Sequence, residues 1–144
     1  MALIQHTTTL LQDLSVVIAD DDDVTREMLR GLLRVAGLSV IGEASDGAQA
    51  LELYKKQKPQ VLCLDIEMPA MNGLEILKAI RLEDTQTIIL MITAAATGEN
   101  VHAAIAAKAS GIIVKPFNTA KIVNAVERAI ASHKLAEPLA AAGK

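Results

Sequence analysis

The chain has 144 residues, 51% of them hydrophobic and 22% charged, a length and balance that predict one globular domain and exclude a largely disordered chain. Its formal net charge is −3, from 14 basic and 17 acidic side chains, and its only aromatic residues are Tyr54 and Phe117. The basic field and the stacking platforms of a nucleic-acid binder are therefore missing, and no direct nucleic-acid partner is expected.

A lone Cys63 with His6, His102 and His133 scattered along the chain excludes an internal disulfide and a cysteine-based zinc site, and a reducing compartment is expected. Met1 to Asp13 has no basic stretch ahead of an apolar run, as a signal peptide would. No run reaches the ~18 apolar residues of a membrane span. The expectation is a cytoplasmic chain with no membrane partner.

In chain order, Val16-Val17-Ile18-Ala19 reads as a buried strand stopped by four aspartates, Asp20 to Asp23. A helix follows, with Met28, Leu29, Leu32, Leu33 and Ala36 at helical spacing and Gly37 as its stop. Ser39-Val40-Ile41 predicts a second strand. Asp46-Gly47 then turns the chain into a helix that places Ala50, Leu51 and Tyr54 inward and ends before Pro59. Val61 to Leu64 predicts a fully buried strand ending at Asp65. After a loop with Pro69 and Asn72-Gly73, a helix carries Leu74, Leu77 and Ile80. The pattern repeats twice: a strand Ile88 to Ile92 ending at Thr93, a helix Val101 to Lys108, a strand Ile112 to Val114 ending at Lys115, and a helix Thr119 to His133. Unalternating strands separated by helices predict an α/β fold, a parallel sheet covered on both faces.

Right-handed crossovers bring the carboxyl ends of such strands to one edge, where open α/β sheets place their ligands. Asp20, Asp21, Asp65, Thr93 and Lys115 all end strands, so the topology gathers them. Three converging carboxylates need counter-charge. Lys115 and a hard divalent cation would supply it, and an all-oxygen donor set with few protein ligands favours Mg2+. A carboxylate is also a nucleophile toward phosphorus, and Asp65, ending the central strand, is the candidate. Thr93 and Lys115 suit the remaining phosphoryl oxygens. Taken singly, each has a plainer reading: the aspartate run as a helix N-cap formed by Asp22 or Asp23, Lys115 as a solvated lysine, Thr93 as a strand residue. Cys63 reads as a small buried hydrophobe, and Met68 and Met71 as packing residues.

The segments Val17-Ile18-Ala19-Asp20-Asp21-Asp22 with Arg26, Leu62-Cys63-Leu64-Asp65-Ile66-Glu67-Met68-Pro69 through Asn72-Gly73, Ile92-Thr93-Ala94 and Lys115-Pro116-Phe117 stand in the order and spacing of a known family. The chain resembles the receiver domains of two-component response regulators, in particular the stand-alone type of bacterial chemotaxis. The resemblance spans about Ser15 to His133. It implies a flavodoxin-like, doubly wound five-stranded sheet of order 2-1-3-4-5 flanked by five helices. Residues 1-14 would be an N-terminal extension and 134-144 a C-terminal tail too short for an output domain.

The resemblance further implies that Asp65 is the phosphoacceptor, Asp21 a direct Mg2+ ligand, Asp20 a ligand largely through water, and the Glu67 backbone carbonyl the last protein donor. Thr93 would be the switch hydroxyl and Lys115 the lysine that pairs with the phosphoryl group, with a cis peptide before Pro116. The donor would be a phosphohistidine on a histidine kinase or histidine phosphotransfer protein, and residues 98-133 would contact a downstream protein or a second copy in a homodimer. The chain would catalyse only its own phosphotransfer and dephosphorylation.

Three positions depart from the common pattern. Ile112 stands where many members have an aromatic switch residue, Glu67 adds a carboxylate two residues after Asp65, and Ala95 removes a salt-bridging side chain from the pocket mouth. Two other readings compete: a constitutive pseudo-receiver adaptor, whose marker would be a missing acid, threonine or lysine, and an aspartyl-nucleophile metal-dependent phosphatase, which would carry a second Asp where this chain has Glu67.

Overall fold

A computed structural model describes the backbone of residues 11–142 and the side chains of residues 11–133. Most of the expected N-terminal extension lies outside the described residues. The elements alternate: β1 (Ser15–Ala19), α1 (Asp23–Val35), β2 (Ser39–Ala44), α2 (Gly47–Gln57), β3 (Val61–Leu64), α3 (Gly73–Arg81), β4 (Ile88–Thr93), α4 (Gly98–Ala106), β5 (Gly111–Val114) and α5 (Thr119–Ala142). All four strand pairings are parallel, as the strand pattern predicts, and the order is β2-β1-β3-β4-β5, the doubly wound arrangement that the resemblance implies.

The period of two along each strand divides the core into two layers. Val16 and Ile18 of β1, Val61 and Cys63 of β3, and Leu90 and Ile92 of β4 pack with Leu29 and Leu33 of α1 and Ile122 and Val126 of α5. Their neighbours Val17, Ala19, Leu62, Leu64, Ile89 and Met91 face the opposite way, toward Ala50 of α2, Ile76, Leu77 and Ile80 of α3 and Ala104 of α4. Because both faces are covered, the central strands have no polar alternation. Truncating one of these fully buried residues, such as Leu62, to alanine costs about 2–5 kcal/mol.

Several boundaries differ from the sequence reading. β2 runs three residues beyond Ile41, because it pairs along the whole of β1 across an irregularity between Val16 and Val17. α4 begins at Gly98, not Val101, because the Thr97 side chain accepts the Asn100 N–H and caps it. α5 continues past His133 to Ala142. Met28 is not on the inner face of α1: it is 54% exposed, while Leu29, Leu33 and Ala36 form the buried stripe. Gly37 ends α1 in the left-handed region, at φ 99°. His102 is exposed and His133 half-buried. Among the described residues no helix is long and apolar enough to cross a membrane.

Candidate functional site

The strand order reverses between β1 and β3, and their carboxyl ends lie side by side: the Asp65 N–H donates to the Ala19 carbonyl at 3.0 Å and the Asp20 N–H to the Ala44 carbonyl at 3.1 Å. This is the switch point of an open α/β sheet, and a crevice forms there because the helices leave in opposite directions. One carboxylate oxygen from each of Asp20, Asp21 and Asp65 falls within 4.8 Å of the others. Asp20 and Asp65 are buried, at 2% and 6% exposure, whereas Asp21 is exposed.

Lys115 reaches this cluster from the end of β5. Its Nζ donates to Asp20 Oδ2 at 2.7 Å and to Asp65 Oδ2 at 3.0 Å. The Lys115–Pro116 peptide is cis. Burial alone lowers the lysine's pKa, but hydrogen bonds to Asp20 and Asp65 outweigh it and hold the ammonium above its ordinary value. For Asp20, burial prevails over the Lys115 and Asp22 hydrogen bonds, and its carboxyl is raised. The two directions are compatible: Lys115 faces two carboxylates, while Asp20 shares one ammonium with Asp65. The cluster therefore holds more negative charge than its lysine neutralises.

That deficit, and a donor set made only of oxygens, fit a hard divalent cation. Asp20 Oδ1 is occupied by the Asp22 N–H at 2.9 Å. Asp65 Oδ1 receives only a long bond, 3.3 Å, from the Glu67 N–H. Glu67 is exposed, and among the described residues nothing donates to its carbonyl. Of the four aspartates, Asp22 is the helix cap, accepting from the Thr25 N–H at 3.0 Å. The run thus splits between a local task and the site.

Thr93, at 0% exposure, ends β4 beside β5, and the Lys115 N–H donates to its carbonyl at 2.9 Å. Its Oγ1 accepts the Ala95 N–H at 3.0 Å, and the Ala95 carbonyl in turn accepts Asn100 Nδ2 at 2.8 Å. Ile112 pairs with Met91 and is half-buried among the residues facing α2, α3 and α4.

The loop after Asp65 is seated by backbone contacts that spacing does not reveal. Gly73 N–H donates to the Ile66 carbonyl at 2.8 Å and Gly47 N–H to the Pro69 carbonyl at 3.1 Å. A Cβ on Gly47 would lie 1.7 Å from the Met71 carbonyl oxygen, and one on Gly73 2.1 Å from that of Asp65. The sequence reading took Gly47 and Gly73 for turn residues; they are also points of close backbone approach. Met68 and Met71 pack under this loop.

Comparison with known proteins gives one answer. The family model for the response regulator receiver domain matches residues 16–127. The chain is 39% identical over 113 residues to the chemotaxis protein CheY of Thermotoga maritima, covering 78% of this chain and 94% of that one. To CheY of Bacillus subtilis it is 37% identical over 115 residues, covering 80% and 96%. Among solved structures, the CheX–CheY–BeF3–Mg2+ complex of Borrelia burgdorferi matches with a TM-score of 0.76 and 31% identity, over 80% of this chain and 87% of that one.

Proposed function

Because the chain belongs to the response regulator receiver domain family, we propose that it is a phosphorylation-switched signalling module whose phosphoacceptor is Asp65. The observation that carries this reading is the convergence of Asp20, Asp21 and Asp65 within 4.8 Å, with Lys115 Nζ bonded to two of the three. In the reaction a carboxylate oxygen of Asp65 attacks the phosphorus of a phosphohistidine on a histidine kinase or phosphotransfer protein. The O–P bond forms as the P–N bond breaks, and the electron pair returns to the imidazole nitrogen.

Asp20, Asp21, Asp65 and the Glu67 carbonyl would hold Mg2+, which when bound supplies charge neutralisation for the carboxylates and the incoming phosphoryl oxygens. Lys115 meets the developing negative charge from the β5 side. Among the described residues nothing accepts from the Thr93 hydroxyl, whose oxygen accepts from Ala95, so its hydrogen would be free to donate. All the acids, the threonine and the lysine of the pattern are present, which weighs against a constitutive adaptor. A downstream protein, or a second copy, would read the change on residues 98–133, where Ile105 and Val114 are 65% and 48% exposed.

Incubation with Mg2+ and acetyl phosphate should add one phosphoryl mass to the wild type and none to Asp65→Asn. Absence of an adduct from small donors and from cognate kinases would overturn the reading. Rapid multiple turnover of unrelated phosphomonoesters would replace it with a phosphatase.

A further inference from the structure

We infer that Arg26 is a positioning residue for the two acidic ligands of the β1–α1 loop, acting through the peptide that joins Asp20 to Asp21. The inference rests on the reading of the acidic cluster as a Mg2+ site. Arg26 Nη1 donates to the Asp20 carbonyl oxygen at 2.8 Å. Its Nη2 pairs with Asp23 in the first turn of α1, and its Nε lies 3.6 Å from Oε1 of Glu43 on β2. The other Glu43 oxygen accepts Arg30 Nη1 at 2.6 Å. With its side chain only 17% exposed, Arg26 ties the end of β1 to the neighbouring strand and the following helix.

The Asp20 and Asp21 side chains are held very differently. Asp20 is fixed by the Asp22 N–H and Lys115. Asp21 is exposed, and among the described residues no group bonds its carboxylate. Its direction is therefore set by its backbone. A peptide unit turns as a plane, so anchoring the Asp20 carbonyl oxygen also fixes the Asp21 N–H and Cα. The rigid, five-donor guanidinium can hold a carbonyl and two carboxylates at once, which a lysine ammonium cannot do along the same three directions. Asp23 and Glu43 also offset the Arg26 charge, so that it does not compete for the carboxylates it aims.

The test is Mg2+ binding by titration calorimetry, on the full chain, for the wild type, Arg26→Lys, Arg26→Met and Glu43→Gln. Titrations at about 0.1 M and about 0.5 M KCl separate screened charge effects from geometry. Amide spectra of the metal-free proteins report folding and the loop. Both Arg26 variants should bind Mg2+ about tenfold more weakly, the lower end of what outer-shell partners contribute. The loss should persist at high salt, and the Asp21 and Asp22 amide resonances should move. Glu43→Gln, which leaves Arg26 in place without its ionic partner on β2, should show a smaller loss in the same direction, and it carries the test if Arg26→Met does not fold. Wild-type affinity in the variants overturns the inference. So does full recovery with lysine, which would show that the guanidinium geometry is not needed, or a Glu43→Gln loss that disappears at high salt, which would be an effect of charge alone. A wild type that binds no Mg2+ removes the metal reading itself, and the inference with it.

Discussion

Substituting Gly73 with alanine tests how closely α3 is seated on the end of β3. The added Cβ would lie 2.1 Å from the Asp65 carbonyl oxygen, 2.9 Å from its carbon and 3.0 Å from Ile66 Cα. Carbon–oxygen contacts begin at about 3.3 Å, so the two segments must part by about 1.2 Å. All three obstructing atoms are backbone, and no rotamer change relieves them. Overpacking of this kind costs about 1–3 kcal/mol, and stretching the Gly73–Ile66 hydrogen bond, now 2.8 Å, about 1 kcal/mol more. Alanine's helix preference returns about 0.5–1 kcal/mol. The net loss is about 2 kcal/mol, or about 6 °C in thermal midpoint for a chain of this size. Gly31, on the exposed side of α1, has nothing within 4 Å of its would-be Cβ, so the same chemical change there should gain about 1 kcal/mol and about 3 °C. Thermal and urea unfolding followed by circular dichroism reads both. A Gly73→Ala midpoint at or above wild type, or shifts of the same sign in the two variants, would refute the close-approach argument.

At the opposite end of the sheet, burial raises the Asp84 carboxyl, but hydrogen bonds from the Thr87 and Tyr54 hydroxyls and from the Thr87 and Gln86 N–H groups outweigh it and hold it well below 3.8. A depressed folded pKa gives stability that is complete above the unfolded value and is lost as pH falls below it. Asp84→Asn should thus cost about 1–2 kcal/mol near neutral pH, and that cost should shrink progressively, without vanishing, as pH falls from about 4 to about 2, as urea unfolding across that range would measure. Tyr54, the only tyrosine, is pushed up to about 12 by burial and by its bond to Asp84; tyrosinate absorbance should titrate there, and part of the way back toward 10 in Asp84→Asn. Cys63, whose thiol burial pushes up to about 12, should react with a disulfide reagent only on unfolding; labelling of the native protein at the rate of a free thiol would contradict its placement. Asn100→Ala, which removes the bond to the Ala95 carbonyl, should speed amide exchange across residues 94–98 about fivefold, the equivalent of one hydrogen bond, and unchanged exchange would show that the latch does not hold the loop.

How much of this was legible before folding depends on how local the cause is. The apolar runs of four of the five strands end at a candidate site residue, so Asp20, Asp65, Thr93 and Lys115 could be read from run boundaries, and parallel topology brings those strand ends to one edge. A cap of α1 at Asp22 or Asp23 was legible for the same reason, because a cap bonds three residues away, and it is Asp22 that forms it. Spacing grouped Met28 with Leu29 and Leu33 although it is exposed, because apolar spacing identifies a stripe without saying which of two adjacent stripes faces the sheet. Arg26 was visible only as one letter in a pattern. Its partner is a carbonyl, and every residue has one. Gly47 and Gly73 looked like turn chemistry, since nothing in a sequence marks where two backbones will touch. The Asp84 network joins α2 to the α3–β4 loop across 30 positions, beyond the reach of any local pattern.

The same distinction bears on how a signal would leave the site. Ile112 offers no hydroxyl and no ring to swing, and it is packed with the α2–α4 layer beside Met91. Displacement of the Thr93 hydroxyl toward a phosphoryl group would therefore have one side-chain hydrogen bond to work through among the described residues, that with the Ala95 N–H. The Ala95 carbonyl is held by Asn100 in the first turn of α4, so the loop of residues 94–97 cannot follow Thr93 without breaking that bond or drawing the start of α4 along with it. Each of these bonds is worth about 1 kcal/mol. An equilibrium resting on contacts of that size shifts by factors of a few, not by orders of magnitude, unless the phosphoryl group itself supplies a larger differential interaction. With Asp65 as the proposed phosphoacceptor, the bias would come from the charge gathered at Asp65 and Lys115, and the loop's part would be to direct it toward α4.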